Sequence, residues 1–313
     1  MSMPVKIAAQ APQTQRPTYV GGGTDLMPLL KNHVRDDEEL VFLDGVEELN
    51  GIWEEAGWIT IGAGERLYDI ANAPLLREKL PAVAQAAGAT ASPQIRNIAT
   101  IGGNIMQDRR CIYFNQSRYW RKGLPLCFKT GGAVCHQIPN SPVCRAIYYS
   151  DVATALAVYE AQAEYIEAGV KKRGPILELV KRHSQANGLA CGEHLPILVT
   201  SFRVPAPAAG ERSGFYKYAM RATIDFPLIN FALRCGGDRE AKLVAGAVAP
   251  WPVELPETAK LLNGPATDDE IAAACAAELQ RLAMPIKEAC IPPTLKRSLY
   301  QYVSCLLHLR REV

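Results

Sequence analysis

Apolar positions along this chain come in short runs punctuated by glycine and proline, and their period changes from one region to the next. "TYV" ahead of a triple glycine, "LVFLDGV", "WITIGAGERL" and "NIATIGGNIM" have strand character, the last two running into glycine turns. A helix is predicted to open at Thr24 or Asp25, after the first glycines. "LYDIANAPLLREKLPAVAQAAGA" carries helical spacing interrupted at Pro74 and Pro81, and "SDVATALAVYEAQAEYI" predicts a helical turn followed by a strand. The Pro, Ala and Gly of "SFRVPAPAAGERSG" mark a linker. Beyond it, "GFYKYAMRATIDFPLINFALRC" and "AKLVAGAVAPWPVEL" predict strands around a short helix. Two amphipathic helices close the chain. Thr267 and Glu270 stand in capping-box order before Ile271, Cys275, Leu279 and Leu282 on one face, and Leu295, Leu299, Val303 and Leu306 share a face of the second. The class is α+β, with a larger front domain over 1–205 and a smaller rear domain over 210–313.

Length agrees with two domains, since 313 residues exceed what one compact core usually requires. Apolar content of 48% and charged content of 21% are those of an ordinary globular protein. A net charge of +2 gives no global reason to expect nucleic acid or an anionic membrane. No run approaches the ~18 uninterrupted apolar residues of a membrane span, and the start lacks a secretory apolar stretch, so a cytoplasmic address is expected. In that compartment nine cysteines are not a disulfide framework. Cys191, Cys235, Cys275, Cys290 and Cys305 are scattered and read as packing residues, whereas Cys111, Cys127, Cys135 and Cys144 crowd into 34 residues. The five histidines are dispersed. His33, His183, His194 and His308 read as surface or packing residues, and no serine–histidine–acid arrangement stands out.

Two glycine turns follow apolar runs: "VGGGTDL" at 20–26 and "IGGN" at 101–104. Glycine lets a ligand approach the main chain, and amides exposed there cradle phosphate oxygens. Neither turn has the spacing of a dinucleotide fingerprint or a Walker lysine. As a pair in one domain, they suggest a diphosphate held between two loops.

"TYVGGGTDLMPLLKN" and "PQIRNIATIGGNIMQ" resemble the two flavin-binding signatures of the medium, FAD-carrying subunit of the xanthine dehydrogenase and carbon monoxide dehydrogenase family. "SDVATAL" and "FYKYAMRATIDFPLINFAL" are similar to later segments of that family. The likeness runs from about residue 17 to the end, although the lead into the first glycine loop is shorter than the family's. It implies a two-subdomain FAD-binding domain of the carbon monoxide dehydrogenase flavoprotein and vanillyl-alcohol oxidase type, followed by a C-terminal domain of sheet and helices. It implies further that Gly21, Gly22, Gly23, Thr24 and Asp25 line the diphosphate, and that Thr100, Gly102, Gly103 and Asn104 hold the other side of the FAD. Asp151 is then expected at the flavin's polar groups and Lys217 near the isoalloxazine ring.

Asn104 and Ser150 are 46 residues apart, more than in the common family pattern, so 107–149 is an insertion. Residues 109–145 contain Arg109, Arg110, Arg118, Arg121, Lys122, Lys129 and Arg145, with no Asp or Glu. Tyr113, Phe114, Tyr119, Trp120 and Phe128 are interleaved with these charges. That is the look of a nucleic-acid patch, but the rest of the chain has no basic stripe. Four thiolates suit tetrahedral zinc or an iron–sulfur cube. The gaps of 16, 8 and 9 lack the close pairs of a zinc knuckle and favour the larger object, a [4Fe–4S] cluster, while His136 beside Cys135 is a weak candidate ligand. Positive charge around such a cluster favours its reduced state. Cys111 lies seven residues past Asn104 and Cys144 seven before Asp151, so each is tethered within about 25 Å of an expected flavin contact.

"MQDRRCIYFNQSRYWRKG" and the order C-x15-C-x7-C-x8-C resemble the insert of the 4-hydroxybenzoyl-CoA reductase branch of that family. This resemblance implies a molybdopterin-binding large subunit and a small subunit with [2Fe–2S] clusters as partners, in a dimer of heterotrimers. It also implies electrons entering from ferredoxin through the cluster and FAD, with substrate chemistry on a partner subunit. Two alternatives stay open: the flavin and iron–sulfur subunit of an aldehyde or N-heterocycle oxidoreductase, and a scaffold with structural zinc.

Overall fold

The structure is a computed structural model that describes residues 17–35, 37, 39–186, 195–221, 223–287 and 299–313. Cys191, Cys290, His194 and Leu295 lie outside the described residues.

The front region holds two units. In the first, β1 (Thr18–Val20) pairs in parallel with β2 (Leu40–Phe42), and helix Leu26–Lys31 lies between them in sequence. The second is a five-stranded antiparallel sheet containing β3 (Ile52–Glu55), β4 (Trp58–Gly62), β5 (Gln162–Glu167), β6 (Val170–Pro175) and β7 (Ile197–Pro205). Its order is β3-β4-β7-β5-β6. Pro74 and Pro81 do not break one helix. Each begins a new one, Pro74–Lys79 and Pro81–Ala89, because proline's fixed φ and missing N–H suit the first helical turn.

Helix Asp151–Val158 is buried along its whole length. Apolar side chains such as Val152, Leu156 and Val158 each contribute about 1.5–3 kcal/mol there. It packs between helix Pro81–Ala89 and the rear sheet, so the two halves share one core.

That rear sheet is antiparallel, in the order β11-β10-β9-β8, with β8 (Glu211–Tyr218), β9 (Ile229–Gly236), β10 (Lys242–Gly246) and β11 (Val253–Glu254). Strand alternation divides its residues. Ile229, Phe231 and Leu233 join the core made with helices Asp268–Leu282 and Leu299–Glu312, while Ala232 joins the front core. The capping box forms as expected: Thr267 Oγ1 accepts from the Glu270 amide (3.3 Å) and Glu270 Oε2 from the Thr267 amide (2.8 Å). No helix appears among the described residues between β8 and β9.

The insert has little regular structure, only helix Arg118–Arg121 and a 3-10 turn Phe128–Thr130. Its neck is closed by Arg110 and Ile147, which exchange main-chain hydrogen bonds of 2.8 and 3.0 Å. Phe114 anchors it on Leu29 and Val34, and Arg121 donates to the carbonyls of His33 and Val34.

Candidate functional site

The first glycine loop bridges β1 and helix Leu26–Lys31. Met27 donates to Gly23 O (3.0 Å), but the amides of Gly21, Gly22, Gly23 and Thr24 donate to no other described residue. With Gly23 at φ +68°, the loop offers a run of free N–H groups, the chemistry of an anion nest.

The second loop backs the first. A Cβ on Gly21 would lie 2.3 Å from Thr100 Oγ1, and one on Gly22 would lie 2.0 Å from the Ile98 carbonyl oxygen. Only glycine permits so close an approach. "IGGN" is itself not a turn after a strand. It forms helix Ile101–Ile105, whose N-cap Thr100 accepts from the Gly103 amide (3.2 Å). The amides of Ile101, Gly102 and Asn104 donate to Glu65 O, Ala63 O and Thr100 O. The second loop therefore has no free donors in this run. Gly102 is small because its Cβ would meet Ala63 O at 2.9 Å.

Asn104 leads into the interior. Ser150 donates to Asn104 Oδ1 (2.5 Å) and caps helix Asp151–Val158 by accepting from the Ala153 amide (3.0 Å). Asp151, 2% exposed, accepts from Lys217 Nζ (2.9 Å) and Asn230 Nδ2 (2.6 Å). Burial raises the Asp151 carboxyl above the usual carboxylate range, against the opposing pull of Lys217 and Asn230. Lys217 also donates to Ala89 O (3.0 Å). Thus Gly21–Thr100, Asn104–Ser150 and Asp151–Lys217 join segments far apart in sequence. Asn230 was missed by sequence reasoning, although its even position on β9, beside Ala232, puts it on the front-facing side. A Cβ on Gly246 would lie 2.2 Å from both Asn230 Oδ1 and Thr154 Oγ1, so β10 must be bare where it crosses this network.

Asp25 has other partners. Its Oδ1 accepts from Arg110 (2.6 Å) and its Oδ2 from the Asp108 amide (2.9 Å). Asp108 in turn forms a buried ion pair with Lys129. Burial works to raise the Asp108 carboxyl, but Lys129, Arg35 and Arg109 outweigh it and hold the pKa below the ordinary value. The basic collar at 109–145 is therefore partly offset by acids beyond that stretch: Asp108 beside it serves Lys129, and Asp25, far away in sequence, serves Arg110.

Cys111, Cys127, Cys135 and Cys144 are all free thiols. Burial raises the Cys111 thiol, which accepts from Gln137 Nε2 at 3.8 Å, and Cys144 adds to the rise. Cys127 sits by a main-chain bridge to Val134, next to Cys135. The donor set suits a metal cluster, but its placement does not enclose one. Among the described residues no three His, Cys, Asp or Glu side chains are grouped to hold a metal ion. His136 is engaged with Pro125 O (2.8 Å). His183 is buried, and His33 and His308 are exposed, as packing and surface residues should be.

Free amides on one loop, a second loop that buttresses it, and a polar chain leading from the second into the core fit the diphosphate and ring of a flavin dinucleotide. Fold and site together suit a flavin-carrying subunit of an oxidoreductase. Residues 5–207 match the FAD-binding domain in molybdopterin dehydrogenase, and residues 214–303 match the carbon monoxide dehydrogenase flavoprotein C-terminal domain. The chain belongs to this family, the FAD-binding medium subunits of xanthine and carbon monoxide dehydrogenase-type enzymes, and is an oxidoreductase component. It is 28% identical to the aldehyde oxidoreductase FAD-binding subunit PaoB of Escherichia coli K12, over 84% of this chain and 85% of that one. It is 27% identical to the xanthine dehydrogenase FAD-binding subunit of Escherichia coli O157:H7, over 80% and 72%. A structure of carbon monoxide dehydrogenase from Hydrogenophaga pseudoflava shares the fold, with a TM-score of 0.71 at 21% identity, covering 98% of this chain and 93% of that one. No helix among the described residues is long and apolar enough to cross a membrane.

Proposed function

We propose that this chain relays electrons through bound FAD, between an external carrier and the [2Fe–2S] and molybdenum subunits of a molybdenum hydroxylase-type complex. The observation that supports the reading is the open amides of the first glycine loop, backed by Thr100, together with the contacts that link Asn104 to Ser150 and Asp151 to Lys217. When bound, FAD supplies a carrier that passes between paired and single electrons. In this reading Gly21, Gly22, Gly23 and Thr24 cradle the diphosphate, with Thr100 and Gly102 setting the loop that backs them. Asn104 orients Ser150 at the head of the buried helix. Asp151 and Lys217 meet the polar edge of the ring, where the lysine's charge favours negative charge on the reduced flavin. The front domain, 1–205, binds the cofactor, and the rear domain, 210–313, supplies Lys217 and Asn230.

The four cysteines are assigned to a [4Fe–4S] cluster on the strength of the donor set and of the insert's resemblance to the 4-hydroxybenzoyl-CoA reductase branch. As placed they do not converge, so no electron step is routed through them. The same resemblance supports ferredoxin as donor, a dimer of heterotrimers in the cytoplasm, and reductive dehydroxylation of 4-hydroxybenzoyl-CoA or a related aromatic on the molybdenum subunit. A second reading, an aldehyde oxidoreductase subunit passing electrons outward, is favoured by the near full-length match to PaoB.

The purified complex tests this. Flavin absorbance, iron, acid-labile sulfide and molybdenum are measured together, and turnover is assayed with reduced viologen plus an aroyl-CoA against an aldehyde plus an oxidised dye. One FAD and four extra irons per chain are expected, and Cys127→Ser should lose those irons while keeping the flavin. A complex without FAD overturns the flavin reading. Zinc near one per chain without the extra irons overturns the cluster.

A further inference from the structure

The first glycine loop has open amides, so its own hydrogen bonds do little to hold its position. Apart from the Met27 bond to Gly23, the described polar ties at its end run through Asp25. Both lead into the insert. One goes to the guanidinium of Arg110, which closes the insert's neck against Ile147 and lies over the ring of Phe226 at 4.9 Å. The other goes to the amide of Asp108, whose carboxylate grips Lys129. Lys129 is 4% exposed, donates also to Arg109 O (2.9 Å), and sits over Phe114 at 4.1 Å, two residues past Cys127. A carboxylate pointed at a diphosphate would repel it. Here both Asp25 oxygens face donors of the insert instead.

We infer that Asp25, Arg110, Asp108 and Lys129 form a mechanical tie that couples the diphosphate loop to the four-cysteine insert, with Lys129 and Arg110 as positioning residues for flavin binding. In its flavin arm this rests on the FAD reading above. Coupling is reciprocal: whatever shifts the conformational equilibrium of the four-cysteine insert alters flavin affinity, and flavin binding shifts that equilibrium by the same factor. A buried Lys–Asp pair suits this role because it has one good arrangement and resists partial displacement.

The test uses the full chain in its complex, with Lys129→Met, Arg110→Gln, Asp25→Asn and the pairwise doubles. Hydrogen exchange is followed at the amides of 21–26 and of 127–136, together with the FAD dissociation constant. Lys129→Met and Arg110→Gln should each speed exchange at 21–26 and weaken FAD by about 5–150-fold. Adding Asp25→Asn to Arg110→Gln should change less than the sum of the two single variants, because both break the same ion pair. FAD should slow exchange at 127–136 in the parent and not in Asp25→Asn. Unchanged exchange in the single variants, or doubles that are fully additive, overturns the coupling. If Lys129→Met does not fold, the half-exposed Arg110→Gln decides alone, and Lys129→Arg should restore the parent behaviour. Failure of the FAD reading looks different, since the parent complex then lacks flavin while the exchange effect at 21–26 persists.

Discussion

Gly21→Ala is a sharp probe of the two-loop arrangement, because the atom it collides with can be deleted separately. The new Cβ would lie 2.3 Å from Thr100 Oγ1, while the next atoms, Thr100 Cβ and Cγ2, are at 3.5 and 3.6 Å. Ordinary contact begins near 3.4 Å, so the loops must part by about 1 Å. Overpacking of that size costs roughly 1–3 kcal/mol. If the displacement falls on the nest, FAD affinity drops by about one to two orders of magnitude, at 1.4 kcal/mol for each tenfold. Thr100→Ala alone removes the cap on the Gly103 amide and costs about 1 kcal/mol of stability. The double variant removes the clash and leaves only contacts of ordinary length. Its FAD affinity should recover to within about threefold of Thr100→Ala, an interaction of 1–2 kcal/mol.

The control is Gly22→Ala. Its Cβ would meet the Ile98 carbonyl oxygen at 2.0 Å and the carbon at 2.7 Å, and no side-chain deletion relieves a main-chain clash. The assay is flavin fluorescence on dilution of the holo chain, with urea midpoints run in parallel. Parent-like affinity in Gly21→Ala refutes the packing of one loop on the other. So does rescue of Gly22→Ala by Thr100→Ala, since that rescue cannot come from removing Oγ1.

Other outcomes follow from the same structure. Lys217→Met leaves the Asp151 carboxylate buried beside Asn230 alone and should lower stability by about 3 kcal/mol, with Asp151→Asn in the same chain restoring most of it in a urea titration. Burial depresses the His183 pKa from 6.5 to about 4, so the fold holds it neutral while the unfolded chain takes up a proton. Its stabilising contribution is complete above about pH 6.5 and falls by about 3 kcal/mol as the pH drops toward 4, a slope that His183→Gln should remove. Thr267→Ala removes the hydroxyl that accepts from the Glu270 amide, keeps the main-chain bond to Glu270 Oε2, and should cost about 1 kcal/mol, visible as a lower unfolding midpoint with flavin content unchanged.

How much of this was legible in the sequence depends on the range of the interactions. Period and capping are local, so strands β1, β4 and β9, the capping box at Thr267 and the helix after Ser150 could be read from neighbours along the chain. Lys217 could be placed too, since alternation along β8 puts it on the face of Phe215, toward the front core. The "IGGN" run misled because two glycines look like a turn. Tertiary packing reversed that: Gly102 must pass Ala63 closely, and Thr100 supplies the cap that lets five residues become helical.

Asp25 was legible in place and not in role. Its neighbours in sequence suggest a phosphate loop, while its partners, Asp108 and Arg110, lie 83 and 85 residues away. The same holds for the charge of 109–145, a stretch with no acid of its own that leans on Asp108 at its edge and on Asp25 far away in sequence. A segment added between two halves of a binding site must be fastened to both, or loop-closure entropy would work against the site it interrupts. Such fastening needs groups from the older scaffold. The acid-free stretch is therefore best understood as one side of an ionic joint whose other side is Asp108 and the Asp25 end of the first glycine loop.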